Sequence, residues 1–328
     1  MSDPRSQVSE YVTHRRLELI LLATERCNFR CTYCYEQFDH GRMEPAVVEG
    51  VKRLLSARSG ELDVLRLAWF GGEPLLARGV IRDVMGHARA LCRSHPQLQF
   101  YSDMATNGWL LTRGVFDELV DLGVATFQVT FDGPREWHDR RRLRIDGKGS
   151  FHRIWANLQS IHQSDREALI QVRVHVDGEN YTDIPRFLEH FETEFGRDNR
   201  FILFIRPVSR LGGCGDDQLD FLDTDSDAGP IADLRRKADR CGLSQIGDEQ
   251  LSPICYAAKA NTLVIRADGR VNKCTVALER PENQVGRIDA RGKLALDQEL
   301  MRTWIRGVIS GDDEALSCPM NDFPRITM

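Results

Sequence analysis

The stretch Thr24-Glu25-Arg26-Cys27-Asn28-Phe29-Arg30-Cys31-Thr32-Tyr33-Cys34-Tyr35 carries three cysteines at C-x3-C-x2-C spacing on one short segment. Three thiolates so spaced can hold three irons of a 4Fe–4S cube, whose usual complement is four cysteines. The fourth iron is then left with open coordination, where a substrate can bind. A structural zinc site fits poorly, because such sites close with four ligands, commonly from C-x2-C pairs. The nearest histidines in sequence, His14 and His40, are too far along the chain to belong to the segment. A disulfide framework is disfavoured in a long chain whose polar start, Met1-Ser2-Asp3-Pro4-Arg5, carries no export signal.

Ahead of the cysteines lies an apolar run, Leu17–Thr24. Five more follow, at Val64–Phe70, Leu98–Ala105, Ala125–Phe131, Leu169–Val176 and Arg200–Arg206. They are short, and most are followed closely by Gly, Asp or Pro, as buried parallel strands are. Between them Pro45–Ala57, Val80–Arg93, Arg113–Leu122, Phe151–His162 and Asp183–Phe195 have helical periodicity. In the first of these Val47, Val48, Val51, Leu54 and Leu55 share one face. Six strands alternating with helices predict a parallel α/β sheet. Candidate chemistry then sits at the strands' C-terminal ends. The cysteines follow the first strand, Gly71-Gly72-Glu73-Pro74-Leu75 the second, Thr106-Asn107-Gly108 the third and Asp132-Gly133-Pro134 the fourth.

Beyond residue 210 the pattern breaks. Leu211-Gly212-Gly213-Cys214-Gly215-Asp216-Asp217 is turn-rich, and the acidic Asp220, Asp223, Asp225 and Asp227 follow. Pro230 opens a helical pattern running to about Cys241. From Cys255 the chain turns hairpin-like, with Thr262–Arg266 and Val271–Val276 flanking an Asp268-Gly269 turn. The expected organisation is an N-terminal segment 1–16, an α/β body 17–210, a linker 211–250 and a smaller domain 251–328.

Composition excludes several classes. Of 328 residues 41% are hydrophobic and 28% charged, as in an ordinary globular protein. No apolar stretch approaches the roughly 20 residues of a membrane span. A net charge of −5 argues against a general nucleic-acid binder. Arg140-Arg141-Arg142 reads as a solvated loop, and Cys92, inside a helical pattern, as an ordinary core residue. Nine cysteines without an export signal suggest a reducing, cytoplasmic setting and metal ligation.

Cys27, Cys31 and Cys34, with Tyr33 beside the last, resemble the signature of the radical S-adenosylmethionine (SAM) enzymes. In that family the open iron chelates the amino and carboxylate groups of SAM. The resemblance implies a partial (β/α)6 TIM-type barrel. It implies SAM contacts from Gly71, Gly72, Glu73 and Pro74, from Thr106 and Asn107, and from Arg173, which alternates with Val172 and Val174. Read alone, Gly71–Pro74 and Asn107-Gly108 are plain turns, and Arg173 is an interior salt-bridge residue. Asp132-Gly133-Pro134, Trp137-His138-Asp139, Arg142 and Gly149-Ser150-Phe151 resemble a stretch of the branch containing sulfatase and peptide maturases. His138 and Asp139 form a candidate acid/base pair; helix capping and loop hydrogen bonding are the default alternative.

Cys255, Gly269 and Cys274 read C-x13-G-x4-C and resemble the SPASM or twitch extension, which binds auxiliary 4Fe–4S clusters. The chain departs from a full SPASM tail, offering only Cys318, with Ala315 where a cysteine is expected three residues earlier. One auxiliary cluster on Cys255, Cys274 and Cys318 is the expectation. Cys214, Cys241, Asp322, a substrate group or nothing is its fourth ligand; the alternative is a hairpin domain with buried thiols and no cluster.

The resemblance implies that one electron enters the first cluster, SAM is cleaved, and the resulting 5′-deoxyadenosyl radical abstracts hydrogen from a C–H bond. The branch implies crosslinking or epimerisation of a ribosomally made precursor peptide, with the cluster's electron supplied by a flavodoxin- or ferredoxin-type donor. With 26 residues before Cys27, a peptide would need a separate leader-recognition protein or direct capture by the barrel mouth. A small-molecule dehydrogenase or epimerase, acting for example on an aminoglycoside sugar, is the alternative. A non-catalytic iron–sulfur electron carrier is the alternative from another class, and it has no need of Gly71–Pro74.

Overall fold

A computed structural model describes residues 8–213, 215–222, 229–247, 250, 252–321 and 323. Elements run in the order α1 (Val8–Val12), β1 (Arg16–Leu22), β2 (Phe29–Cys31), α2 (Pro45–Arg58), β3 (Val64–Phe70), α3 (Arg78–Ser94) and β4 (Gln99–Thr106). Then come α4 (Arg113–Asp121), β5 (Thr126–Phe131), α5 (Arg135–Arg141), β6 (Arg142–Arg144), α6 (Phe151–His162), β7 (Leu169–Val176), α7 (Ile184–Phe195), β8 (Phe201–Pro207) and α8 (Pro230–Arg240). The C-terminal part adds β9 (Thr262–Ile265), β10 (Arg270–Asn272), β11 (Gln284–Ile288), β12 (Leu294–Leu296) and α9 (Gln298–Trp304).

The chain forms two compact units. The first comprises residues 1–26, 38–102 and 251–328, and the second 27–37 and 103–250. In the first, β1 lies parallel to β3, with Arg16 opposite Val64 and Leu22 opposite Phe70. On its other side β1 is parallel to β9, which begins the antiparallel series β9–β10–β11–β12. The Asp268-Gly269 turn joins β9 to β10 as expected, and Gly269 has φ +84°, a left-handed conformation that favours glycine.

In the second unit β4, β5, β7 and β8 are parallel and adjacent in chain order. A separate two-stranded antiparallel ribbon pairs β2 with β6. Among the described residues neither unit closes a barrel by itself. Strand β7 positions the site. Its Ile170, Val172, Val174 and Val176 are fully buried on one face, and Gln171, Arg173 and His175 occupy the other. The helices bury an aromatic core in the same unit: Phe151 and Trp155 of α6 stack at 5.4 Å, and Phe195 of α7 stacks on Phe201 at 4.5 Å.

Arg140-Arg141-Arg142 is not the solvated loop that its charge suggests. Arg141 and Arg142 are buried, at the end of α5 and the start of β6. Arg141 pairs with Asp177 at 2.6 Å and with Glu179 at 2.7 Å, and that pairing offsets its desolvation. Only Arg140 is exposed.

Candidate active site

The cysteine segment is fixed from both sides. Cys31 lies opposite Arg142 in the β2–β6 ribbon, and Thr32 N–H donates to the Arg141 carbonyl at 2.9 Å. Cys34 N–H donates to the Cys31 carbonyl at 3.1 Å, closing a tight turn that gathers the thiols. Gly213 and Gly215 back onto this turn. A Cβ at Gly215 would stand 2.0 Å from the Thr32 carbonyl oxygen, and one at Gly213 would stand 2.8 Å from that of Cys34. Their spacing around Cys214 was the available sequence signal, and it reads as an ordinary turn. Cys214 and Asp322 lie outside the described residues.

Cys27 is buried, and Cys31 and Cys34 are half-buried. Phe29 N–H donates to Cys27 Sγ at 3.3 Å. Asn107 Nδ2 donates to Asn28 Oδ1 at 2.8 Å and lies 3.8 Å from Cys27 Sγ. Thr106 Oγ1 accepts from Gly108 N at 3.1 Å, holding the turn that delivers Asn107. Burial pushes the Cys31 thiol up and the Cys34 thiol to about 12.

Tyr33 is the centre of a buried polar chain. Its hydroxyl donates to Asp132 Oδ1 at 2.8 Å and accepts from Arg142 Nη1 at 2.7 Å. Its ring meets His175 edge-on at 5.0 Å. Burial raises the Asp132 carboxyl to about 6, despite the opposing charge of Arg142 and the Tyr33 hydrogen bond. Asp132 Oδ2, Arg142 Nε, Arg173 Nε and His175 Nδ1 are all buried without a hydrogen-bond partner. Such orphaned groups cost about 1–3 kcal/mol each unless a ligand or water meets them. Acceptors and donors of both signs beside three thiols suit a ligand carrying both an ammonium and a carboxylate, as SAM does.

The Gly-Gly-Glu segment belongs to the first unit. Gly71 has φ +98°, and a Cβ there would meet the Thr24 carbonyl oxygen at 2.5 Å. A Cβ on Gly72 would meet the Arg26 carbonyl oxygen at 2.5 Å. Glu73 N–H donates to that same carbonyl at 2.9 Å, on the residue that precedes Cys27 in the chain. Glu73 is fully buried, and its Oε1 accepts from Leu75 N at 3.0 Å, capping the 3-10 turn Pro74–Ala77.

Asp139 and the Nε2 of His138 are committed elsewhere, while His138 Nδ1 is buried without a hydrogen-bond partner. His138 is fully buried between Phe131 and Phe151, with Nε2 2.9 Å from Ser150 Oγ. Burial holds its pKa well below the usual histidine range. Asp139 Oδ1 accepts from Ser150 N at 2.7 Å and Phe151 N at 2.8 Å, satisfying orphan donors at the start of α6.

The second cysteine set lies within the first unit. Cys255 N–H donates to the Leu316 carbonyl at 2.8 Å, drawing the Cys318 segment in. Burial raises the Cys255 thiol, and the charges of Cys274 and Cys318 add to the rise. Asn283 Oδ1 accepts from the N–H groups of Lys273 and Cys274 at 2.9 and 2.8 Å. Val276 N–H donates to Cys274 Sγ at 3.3 Å. Lys273 is fully buried, its Nζ donating to the Lys259 and Thr262 carbonyls, and burial lowers it to about 7.

Among the described residues, three potential ligand atoms come within 4.8 Å of one another only at Glu25, His40 and Glu279. That group is an ion-pair cluster: Arg266 bridges Glu25 and Glu279, and Arg270 meets His40. Neither cysteine triple closes to that distance, whereas thiolates sharing one zinc ion stand about 4 Å apart. A cluster spreads its thiolates over separate irons.

A family model described as "Radical SAM superfamily" matches residues 21–191. The chain belongs to this superfamily. Its cofactors are therefore a 4Fe–4S cluster and SAM. The cysteine-type anaerobic sulfatase-maturating enzyme of Clostridium perfringens is 29% identical over 147 residues, 42% of this chain and 38% of that protein. The GTP 3',8-cyclase of Rippkaea orientalis is 24% identical over 315 residues, 90% of this chain and 88% of that one. The chain spans about half the length of several other curated relatives that it matches. A solved structure, "Native anSMEcpe with bound AdoMet and Kp18Cys peptide", shares the fold with a TM-score of 0.65 and 19% identity, over 88% of this chain and 83% of that one. The α/β radical SAM fold is thus present, built on a mostly parallel sheet. Among the described residues no helix is long and apolar enough to cross a membrane.

Proposed function

We propose that this radical SAM enzyme removes hydrogen from a C–H bond of a ribosomally made precursor peptide and so crosslinks or epimerises it. In this reading Cys27, Cys31 and Cys34 hold the SAM-binding cluster. The Phe29 N–H and Asn107 Nδ2 stand 3.3 and 3.8 Å from Cys27 Sγ and hold it in place. Arg142, Arg173, His175 and Asp132 supply the unpartnered donors and acceptor that receive the charged end of SAM. Gly71, Gly72, Glu73 and Pro74 keep the SAM-contact role that the family resemblance implies. When bound, cluster and SAM supply a one-electron reductive cleavage strong enough to activate an aliphatic C–H bond. The chain's part is to bind, orient and exclude water around that step. The acid/base pairing of His138 and Asp139 is not carried into this proposal, because Asp139 Oδ1 is held by the Ser150 and Phe151 N–H groups and His138 Nε2 by Ser150 Oγ, although His138 Nδ1 is buried without a partner.

The observation that carries the peptide reading is the second thiol set. The Cys255 N–H donates to the Leu316 carbonyl, two residues before Cys318, and Cys274 follows the β9–β10 hairpin; we assign these three cysteines one auxiliary 4Fe–4S cluster, as in the peptide-maturing branch. The relative named a sulfatase-maturating enzyme supports the same class. The test is incubation of the reconstituted enzyme, SAM and a low-potential reductant with cysteine- or aromatic-rich peptides encoded beside its gene. Loss of two hydrogens by mass, or deuterium uptake from heavy water without mass loss, is expected. Turnover of a small molecule with no peptide change would favour the second reading, which the GTP 3',8-cyclase relative supports over nine tenths of the chain.

A further inference from the structure

The chain is acidic overall, at −5, yet the ribbon that carries Cys31 presents a basic surface. Arg30, Lys148 and Arg153 are exposed, and Arg144 is half-buried. Arg144 and Arg153 stack on the ring of Trp109, at 4.4 and 4.6 Å from its centroid. Ile145, at the tip of the adjoining turn, is 62% exposed, and its N–H donates to the Asn28 carbonyl. Asp146, paired with Arg144 at 2.7 Å, is the one carboxylate of the ribbon and turn, residues 28–31 and 142–149. An exposed isoleucine, a half-buried tryptophan flanked by two arginines and further exposed cations on the same ribbon have the make-up of a protein-docking patch: apolar groups among charged ones.

This surface lies against the metal-ligating segment. Arg30 sits between Cys27 and Cys31 in sequence, and its Nη1 donates to the carbonyls of Cys27 at 2.9 Å and Phe29 at 2.6 Å. Phe29, whose N–H meets Cys27 Sγ, contacts Trp109 edge-on at 6.2 Å. An electron arriving here is one residue, or one aromatic contact, from a cluster thiolate.

We propose that the β2–β6 ribbon and its turn, through Arg30, Arg144, Ile145, Lys148, Arg153 and Trp109, dock a small acidic one-electron carrier protein that reduces the cluster on Cys27, Cys31 and Cys34. The inference rests on the cluster assignment above. One electron leaves the carrier's reduced centre and enters the cluster. The carrier is oxidised and the cluster reduced by that one electron, and no bond is made or broken. Charge complementarity selects the occupant: the patch's cations attract an acidic carrier and steer its approach, with an association rate that falls as salt rises.

The test compares the reconstituted wild-type enzyme with Lys148→Glu/Arg153→Glu and with a control, Arg291→Glu/Lys293→Glu, which makes the same charge change at an exposed turn of the other unit. Neither pair belongs to the proposed cofactor site. Two quantities are read: the dissociation constant for an acidic flavodoxin and its salt dependence, and the rate of cluster bleaching by reduced flavodoxin. Photoreduced 5-deazariboflavin, small and neutral, serves as a reductant that needs no docking. Binding at low salt should weaken at least tenfold in the ribbon variant, with a shallower salt dependence and proportionately slower bleaching. The control should behave as wild type, and all three should bleach equally with deazaflavin. Equal flavodoxin binding by the ribbon variant and wild type, or an equal loss in the control, overturns the proposal. A wild-type enzyme that deazaflavin reduces without SAM cleavage refutes the cluster assignment instead, and the docking proposal with it.

Discussion

Tyr33→Phe isolates the polar chain beside the cysteines. The substitution keeps the ring and its 5.0 Å contact with His175 and deletes only the hydroxyl. That hydroxyl donates to Asp132 Oδ1 at 2.8 Å and accepts from Arg142 Nη1 at 2.7 Å. A hydrogen bond to a charged group contributes about 1.5–3 kcal/mol, so two set an upper range of about 3–6 kcal/mol. The loss falls at the lower end, because Asp132, already raised to about 6, relieves part of it by taking up a proton. About 3 kcal/mol is expected. Because Asp132 Oδ2 and Arg142 Nε already lack partners, the local network has no spare bond to offer in exchange. The assay is anaerobic urea unfolding followed by tryptophan fluorescence, with iron content measured alongside. A double-mutant cycle with Asp132→Asn should show a coupling of about 1–2 kcal/mol, since both changes remove the same bond. A midpoint shift worth less than about 0.5 kcal/mol, or strict additivity in the cycle, would refute the energetic importance of this chain.

Replacing Cys27, Cys31 and Cys34 together by Ala should remove about four irons per chain and abolish SAM cleavage, while the iron of a single cube and a brown colour persist. Adding Cys255→Ala and Cys274→Ala should remove that remainder and lower the stability of residues 252–321 preferentially, because metal binding couples to folding; a colourless first variant would end the auxiliary-cluster reading. Gly72→Ala pushes a methyl group to 2.5 Å from the Arg26 carbonyl oxygen, so the backbone just before Cys27 must move; a cost of about 1–3 kcal/mol and poorer cluster reconstitution are expected, and normal iron loading would contradict it. Asp198 tests acid stability. Burial raises its carboxyl, but hydrogen bonds from Arg200 and His162 outweigh this and hold it at about 2. Its contribution should be fully present above the unfolded value near 4 and be lost as pH falls from about 4 toward 2. Asp198→Asn should therefore destabilise at pH 6 and have little effect at pH 2; an equal loss at both would point to packing rather than charge.

The sequence by itself determined the six strands of the α/β alternation, the helices between them and the cysteine spacing, because each is a local pattern; the short β2–β6 ribbon that holds the cysteines was not legible there. Val64–Phe70 and Leu169–Val176 are strands over the residues that their apolar runs cover, and Phe151–His162 is the helix that its periodicity marks. Alternation alone put Arg173 on the face opposite Val172 and Val174. The Asp268-Gly269 hairpin needed only its own turn chemistry. Tertiary structure alone decided the rest, since its partners lie far apart along the chain. Tyr33 finds Asp132 at 99 residues' separation and Arg142 at 109. β9 joins β1 across more than 240 residues. Gly213 and Gly215 become packing surfaces for the cysteine turn. A run of three arginines looks solvated because charge is the only thing that a local window reports. Whether Arg141 and Arg142 are buried depends on acceptors, Asp177 and the Tyr33 hydroxyl, that only the folded chain brings within reach.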